Sequence, residues 1–115
     1  MTAPASMGQI DVETLAQRLA AGESLQLIDV REAQELAIAR LDGFEHLPLS
    51  EFNQWAEQVP VRLDPDAETV VMCHHGMRSA QMCQWLLGQG FTQVKNLVGG
   101  IDAYSCVVDP AVPRY

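Results

Sequence analysis

The segment that spans residues 69–87 constrains the fold of this chain more than any other feature. A β-rich run, Thr69-Val70-Val71-Met72, is followed after a short loop by residues 79–87, whose apolar side chains recur at helical spacing. Gly76 in the loop can turn the backbone without the steric clash of a Cβ atom. A strand that leads through a sharp loop into a helix is the repeating unit of α/β domains, so we expect that class of fold.

The same alternation continues along the rest of the chain. We predict strands at residues 25–30, 69–72 and 93–97, a short extended piece at residues 47–49, and helices at residues 12–21, 32–39, 51–59 and 79–87. Asp11 and Ser50 are predicted N-caps, and Pro60 is predicted to end the third helix. Strands that alternate with helices favour a central, mainly parallel sheet with helices on both faces.

The length and the composition fit one domain. The chain has 115 residues, and 48% of them are apolar, which suffices for one compact core. Residues 1–7 show no pattern, so we interpret them as a flexible leader and residues 8–115 as the domain. We recognise neither a signal peptide nor a membrane-spanning stretch, which favours a cytoplasmic protein.

The charges exclude some classes of partner. A net charge of −8 argues against nucleic acid or an anionic membrane as a partner. Between Thr69 and Ile101 there is no Asp or Glu, and Cys73 lies in this segment. The segment is either an electrostatic setting for Cys73 or simply a set of buried elements that lack charge, and both explanations stay open.

The cysteines point to a free thiol. The chain has three, with no Cys-x-x-Cys pair and no His and Cys residues at the separations of zinc ligands, so we predict no metal site. Cys73 follows a strand and precedes a helix, where loop N–H groups and the helix N-terminus favour the thiolate. A thiolate at this place is a candidate nucleophile, whereas a packed apolar thiol is the alternative. For Cys83, on the inward stripe of its helix, we expect the packed thiol.

Four stretches resemble the rhodanese-like domain family, in the order and at the spacing typical of that family. They are Leu27-Ile28-Asp29-Val30-Arg31-Glu32 followed by Glu35, Arg40-Leu41-Asp42-Gly43 with Leu47-Pro48-Leu49, Cys73-His74-His75-Gly76-Met77-Arg78-Ser79, and Leu97-Val98-Gly99-Gly100-Ile101. The resemblance extends from about Ile10 to Tyr115. In its single-domain form it implies a mainly parallel five-stranded sheet with helices on both faces.

The resemblance also implies an activity, that of a thiosulfate sulfurtransferase which carries sulfur as a persulfide on Cys73. Its substrates would be a small sulfur-containing anion such as thiosulfate, as the donor, and cyanide or a thiol as the acceptor. A protein acceptor or thioredoxin is a further candidate, and no cofactor is implied. His74 stands where many thiosulfate-using members have arginine, so the resemblance does not decide which sulfur donor is preferred. The substrate-binding loop would comprise His74, His75, Gly76, Met77, Arg78 and Ser79.

Several side chains of this loop have more than one interpretation. Arg78 either holds the sulfonate of the donor, pairs with a carboxylate, or points to solvent. His74 and His75 act through their backbone N–H groups or through their rings, and we favour the backbone. We predict that the hydroxyl of Ser79 caps the following helix.

Asp29 and Arg31 end the strand that should neighbour the Cys73 strand. The resemblance places them beside the loop as a brace. An ordinary ion pair between Arg31 and Glu35, one helical turn on, is the alternative.

The length of the loop separates sulfur chemistry from phosphate chemistry. Tyrosine-phosphatase relatives of the fold use Cys-x5-Arg, whereas Cys73 and Arg78 are separated by four residues, and Met72 replaces the histidine that precedes the phosphatase cysteine. A smaller cradle suits one extra sulfur atom, so a phosphatase-like or arsenate reductase enzyme is disfavoured. A persulfide carrier, or a partner-binding module that relays or senses sulfur, remains the second hypothesis.

Overall fold

The computed structural model describes residues 7–115, so most of the predicted leader lies outside the described residues. Met7, its last residue, is half-buried against the core.

Five strands are present: β1 (Gly8–Ile10), β2 (Gln26–Asp29), β3 (Glu45–His46), β4 (Thr69–Met72) and β5 (Val94–Leu97). The helices are α1 (Val12–Ala20), α2 (Ala33–Ile38), α3 (Phe52–Trp55), α4 (Val59–Arg62), α5 (Met77–Gly88) and α6 (Gly100–Ala103), with short 3-10 turns at Leu49–Glu51 and Ala56–Gln58 and a π-helical turn at Tyr104–Val108.

The strands form one sheet in the order β1-β5-β4-β2-β3, and every neighbouring pair is parallel. The predicted fold class, a five-stranded parallel sheet between helices, is therefore confirmed. β4 is the central strand, which places the residue after Met72 at the middle of the carboxyl edge of the sheet. Within residues 7–115, no helix is long and apolar enough to cross a membrane.

Two apolar layers cover the sheet, one on each face. β4 supplies both of them, because successive side chains of a strand point to opposite faces. Val71 packs with Trp55 and Leu86 in one layer, while Val70 and Met72 pack in the other. All four residues of β4 are buried, so the strand that leads to Cys73 is held firmly in place.

Local sequence signals account for the first two helices. The side chain of Asp11 accepts a hydrogen bond from the N–H of Thr14 at 2.7 Å, as the predicted N-cap should. Glu32 and Glu35 form a reciprocal capping box at the start of α2. Both helices lie where the sequence predicted them, within two residues at either end.

Three details of the prediction for residues 8–62 were wrong. β1 was not recognised, because three residues at a sheet edge carry too little periodicity. The strand near residue 47 is Glu45–His46, two residues earlier than expected. The third helix is broken into short turns, Ser50 lies within the first of them, and Pro60 is in the first turn of α4 rather than at an end. Proline is tolerated there because its missing N–H would have no helical partner.

Candidate active site

Cys73 lies directly after β4, in a loop whose hydrogen-bond donors converge on its sulfur. The N–H of Gly76 donates to Sγ at 3.0 Å, and the hydroxyl of Ser79 lies 3.3 Å from the same atom. The residue is only 1% exposed. The sulfur therefore occupies the floor of a small cradle of donors.

Opposing effects set the acidity of this thiol. Burial raises the pKa of Cys73, because the charged form loses solvation. Hydrogen bonds from the Ser79 hydroxyl and from the backbone N–H groups of Ser79, Gly76 and His75 stabilise the thiolate and outweigh burial. The pKa of Cys73 is lowered overall, so the loop favours the nucleophilic form.

Gly76 gives the loop its shape. Its φ of 107° lies in the left-handed region, and it forms the N-cap of α5. The side-chain N–H of Asn96, in β5, donates to the Gly76 carbonyl at 2.9 Å and so holds the turn against the sheet. A residue with a Cβ would be strained at this φ, which explains the glycine.

Gly100 supports the loop from the opposite side. A Cβ atom at this position would lie 2.3 Å from the carbonyl oxygen of Cys73 and 2.4 Å from that of His74. The close approach allows the N–H groups of Ile101 and Asp102 to donate to those two carbonyls at 3.0 and 3.1 Å. The Gly-Gly turn found in the sequence is therefore the backbone support of the Cys73 loop.

The prediction that Ser79 caps a helix was wrong. α5 begins at Met77, two residues earlier than predicted, so Ser79 is its third residue and faces inward. Its hydroxyl lies 2.5 Å from Oδ1 of Asn96 as well as 3.3 Å from Sγ of Cys73. The hydroxyl has one hydrogen for these two acceptors, which links the thiol to β5.

Asp29 and Arg31 form a buried ion pair beside the loop. Nη2 of Arg31 lies 2.8 Å from Oδ2 of Asp29, and Nε lies 3.1 Å from Oδ1. The alternative pairing of Arg31 with Glu35 does not form. Nη1 of Arg31 instead donates to the hydroxyl of Tyr115 at 2.9 Å, and the ring of Tyr115 stacks on His74 with centroids 3.9 Å apart. The Asp29–Arg31 ion pair is thus connected to the Cys73 loop through Tyr115, which contacts both Arg31 and His74.

Arg78 pairs with a carboxylate, which was one of the three alternatives. Its two terminal nitrogens lie 2.6 and 2.8 Å from the two oxygens of Glu35. The Tyr115 hydroxyl donates to the same carboxylate at 2.9 Å. Hydrogen bonds from Arg78 outweigh burial and lower the pKa of Glu35 to about 2, so this pair is charged at neutral pH.

The two histidines differ in environment. The ring of His74 lies between those of Tyr115 and His75, each with its centroid 3.9 Å away, and its Nε2 atom is buried without a hydrogen-bond partner in the described part of the chain. Burial and the neighbouring His75 lower the pKa of His74. The side chain of His75 is 62% exposed, and its Nε2 lies 3.8 Å from Oδ2 of Asp102. Met77 is largely exposed.

The segment without acidic residues does not produce a site without acidic residues. Glu35 and Asp102 both lie outside residues 69–101 in the sequence, yet they contact Arg78 and approach His75. Sequence reasoning assigned no role to Asn96, Asp102 or Tyr115. Only the Asn96 position carried a signal, as a polar residue within a buried strand pattern.

The other two cysteines lie in different environments. Cys83 is fully buried, and burial together with the nearby Cys73 raises its pKa to about 12, in agreement with the predicted core thiol. Cys106 is exposed. Two surface cavities of about 200 and 220 Å³ are lined by residues within 29–46 and 46–62, and neither includes residues 73–79. Cys73 and its loop therefore line neither of these two cavities.

Comparison with known proteins identifies relatives that match most of this chain. The family model of the Rhodanese-like domain matches residues 11–105. An Arabidopsis thaliana chloroplastic protein, rhodanese-like/PpiC domain-containing protein 12, is 48% identical over 93 residues, which are 81% of this chain and 31% of that protein. The chain thus spans about a third of this relative.

A second relative has a similar length. A protein named sulfurtransferase from Allochromatium vinosum is 35% identical over 102 residues, which cover 86% of this chain and 89% of that protein. Among solved structures, a rhodanese-like domain protein from Staphylococcus aureus superimposes with a TM-score of 0.77 at 21% identity, covering 95% of this chain and 99% of that one. The last comparison concerns the fold alone.

Proposed function

The chain belongs to the rhodanese-like domain family, and on that premise we propose that it is a sulfurtransferase that carries sulfane sulfur as a persulfide on Cys73. The observation that carries the proposal is the convergence of N–H and O–H donors on Sγ. These donors stabilise the thiolate before the reaction, and the N–H groups of the loop would hold the persulfide that forms on Sγ. Because the loop lowers the pKa of Cys73 and so favours the thiolate, the proposal includes no general base.

The proposed reaction has two balanced halves. The Cys73 thiolate attacks the outer sulfur of a donor such as thiosulfate, the sulfur–sulfur bond of the donor breaks, and sulfite leaves with the bonding electron pair. In the second half, cyanide or a thiolate attacks the terminal sulfur of the persulfide. Thiocyanate or a new persulfide then leaves, and the Cys73 thiolate is restored.

In this proposal, Arg78 orients the anionic donor. Its guanidinium matches a sulfonate, and its side chain is 36% exposed, so a donor can approach it from solvent. The donor would compete with Glu35, which holds both terminal nitrogens in the free protein. His74 and His75 would contribute backbone N–H groups to the cradle, and the N–H of His75 already helps to lower the pKa of Cys73.

The proposed acceptors are small nucleophiles, cyanide in an assay and a thiol in the cell. Cys73 is almost inaccessible, so an acceptor must be narrow at its reacting end. A thiol at the tip of a protein loop, as in thioredoxin or another sulfur acceptor, also satisfies this requirement.

The test is a two-step mass measurement. The protein is incubated with thiosulfate and its intact mass recorded, then cyanide is added and thiocyanate is assayed. We expect the mass of one added sulfur atom, lost on addition of cyanide. Cys73→Ser should abolish both signals, whereas Cys106→Ser, which removes an exposed thiol, should retain both.

The other outcomes favour other functions. If the wild-type protein gains no sulfur from thiosulfate or other sulfane donors, the catalytic assignment of Cys73 fails. Gain of sulfur with negligible release of thiocyanate would favour the persulfide carrier. Cleavage of an aryl phosphate that depends on Cys73 would favour the phosphatase-like alternative.

A further inference from the structure

Three potential metal ligands meet at the rim of the Cys73 loop. His74 and His75 come from the loop, and Asp102 comes from α6, which packs against it. One ligand atom from each residue lies within 4.8 Å of the other two. The sequence did not predict this cluster, because Asp102 is remote from the two histidines along the chain.

The ring of His74 has an unused ligand atom. Its Nε2 is buried and has no hydrogen-bond partner within residues 7–115. A buried polar atom without a partner is energetically unfavourable, so such atoms call for a specific explanation, of which a bound ion is one. Tyr115 stacks on the ring at an interplanar angle of 9° and fixes its plane.

The carboxylate of Asp102 is already oriented. Nε of Arg114 donates to Oδ1 at 3.0 Å, and Nη2 lies 3.4 Å from Oδ2. The shorter contact occupies Oδ1, so Oδ2 is the oxygen turned toward His75, with 3.8 Å between Oδ2 and Nε2. Metal-binding carboxylates are commonly held in this way by a hydrogen bond to the oxygen that does not coordinate.

We propose that His74, His75 and Asp102 bind a divalent transition-metal ion such as Zn²⁺, Co²⁺ or Ni²⁺. Two imidazoles and one carboxylate suit these ions, whereas Mg²⁺ and Ca²⁺ prefer oxygen ligands only. Ligand atoms about 2.1 Å from one ion lie roughly 3.4 Å from one another. From a spacing of up to 4.8 Å the cluster must therefore contract by as much as about 1.4 Å, and the exposed side chain of His75 can move by a change of rotamer.

The site is open to solvent on the side of His75, and the Cys73 thiol is not one of its ligands. His75 lies on the surface, so an ion can enter and can keep water in its remaining coordination positions. None of the three ligand atoms belongs to Cys73, so the proposed ion binds without a thiolate ligand.

The test uses full-length protein in a Cys73→Ser/Cys106→Ser background, which removes both the loop thiol and the exposed thiol. The protein is titrated with Co²⁺, followed by visible absorption, and with Zn²⁺, followed by calorimetry. We expect one ion per chain, with no thiolate charge-transfer band. His75→Gln and Asp102→Asn should each weaken binding by more than about tenfold, since each removes a ligand.

Asp42→Asn is the matched control for Asp102→Asn, because it also neutralises a carboxylate but one that is exposed and outside the cluster. It should bind as tightly as the background protein. Because Asp102→Asn can disturb the loop, His75→Gln, at an exposed position, is the decisive variant. Equal affinity in His75→Gln and the background protein, or no stoichiometric binding in that background, would overturn the proposal.

Discussion

Replacement of Ser79 by alanine should raise the pKa of Cys73. The Ser79 hydroxyl is the largest of the contributions that lower this pKa, and it lies 3.3 Å from Sγ. The substitution removes the donor and leaves the backbone N–H of Gly76, 3.0 Å from the sulfur, in place. The charged form of the thiol loses a hydrogen bond that the neutral form does not need, so the pKa must rise.

The size of the effect follows from the strength of one hydrogen bond to a charged group. Such bonds contribute about 1.5–3 kcal/mol, and about 1.36 kcal/mol corresponds to one pKa unit, which gives a rise of about one to two units. The Ser79 hydroxyl is shared with Asn96, whose Oδ1 is closer, at 2.5 Å. Because the hydroxyl is shared, we expect the pKa of Cys73 to rise by about one unit, the lower end of that range.

The assay is the pH dependence of the alkylation of Cys73 by iodoacetamide, followed by mass spectrometry in a Cys106→Ser background. Cys83 does not interfere, because it is buried and its pKa is about 12. Ser105→Ala is the matched control: Ser105 is also buried and its hydroxyl bonds to the carbonyl of Val112, far in sequence from the loop. That control should leave the alkylation profile unchanged.

The outcome that would refute this reasoning is a folded Ser79→Ala protein whose alkylation midpoint is unchanged or lower. The backbone N–H groups alone would then stabilise the thiolate. Equal shifts in Ser79→Ala and Ser105→Ala would instead indicate a general loosening of the domain.

Two further predictions concern the supports of the loop. Gly100→Ala should lower the free energy of unfolding in urea by at least about 2 kcal/mol, because its Cβ would overlap the carbonyl oxygen of Cys73 at a φ of 60°. Gly22→Ala is the control: its φ is 81° but the space around it is open, so its free energy of unfolding should fall by no more than about 1–2 kcal/mol. An equal loss of stability in both variants would contradict the argument from steric overlap at Gly100. Glu35→Gln should lower stability by about 1 kcal/mol or less at pH 7. The folded pKa of Glu35 is about 2, below the usual 4.5, so its pairing with Arg78 stabilises the fold above about pH 4.5 and the stabilisation is lost as the pH falls toward 2. Urea unfolding across that range should show the free energies of unfolding of the wild type and Glu35→Gln converging at low pH. A difference in stability that does not change with pH would contradict a stabilising ion pair.

Much of the fold could be predicted because its signals are local. The Asp11 cap, the helix-forming composition of residues 32–39 and the β-rich run of β4 each depend on residues close to one another in the sequence. The predictions failed where the signal was short or ambiguous. β1 has three residues, and Pro60 is compatible with either end of a helix.

The sequence by itself determined that Cys73 follows a β-strand and precedes a helix, since the β-rich run, Gly76 and the helical pattern all lie within residues 69–87. Only the tertiary structure decided what surrounds the thiol. Ser79 meets Asn96 across 17 residues, Arg78 meets Glu35 across 43, and Tyr115 meets Glu35 across 80. Such contacts depend on the order of strands in the sheet, β5 and β2 flanking β4, and no local pattern encodes which distant polar side chains that order brings together.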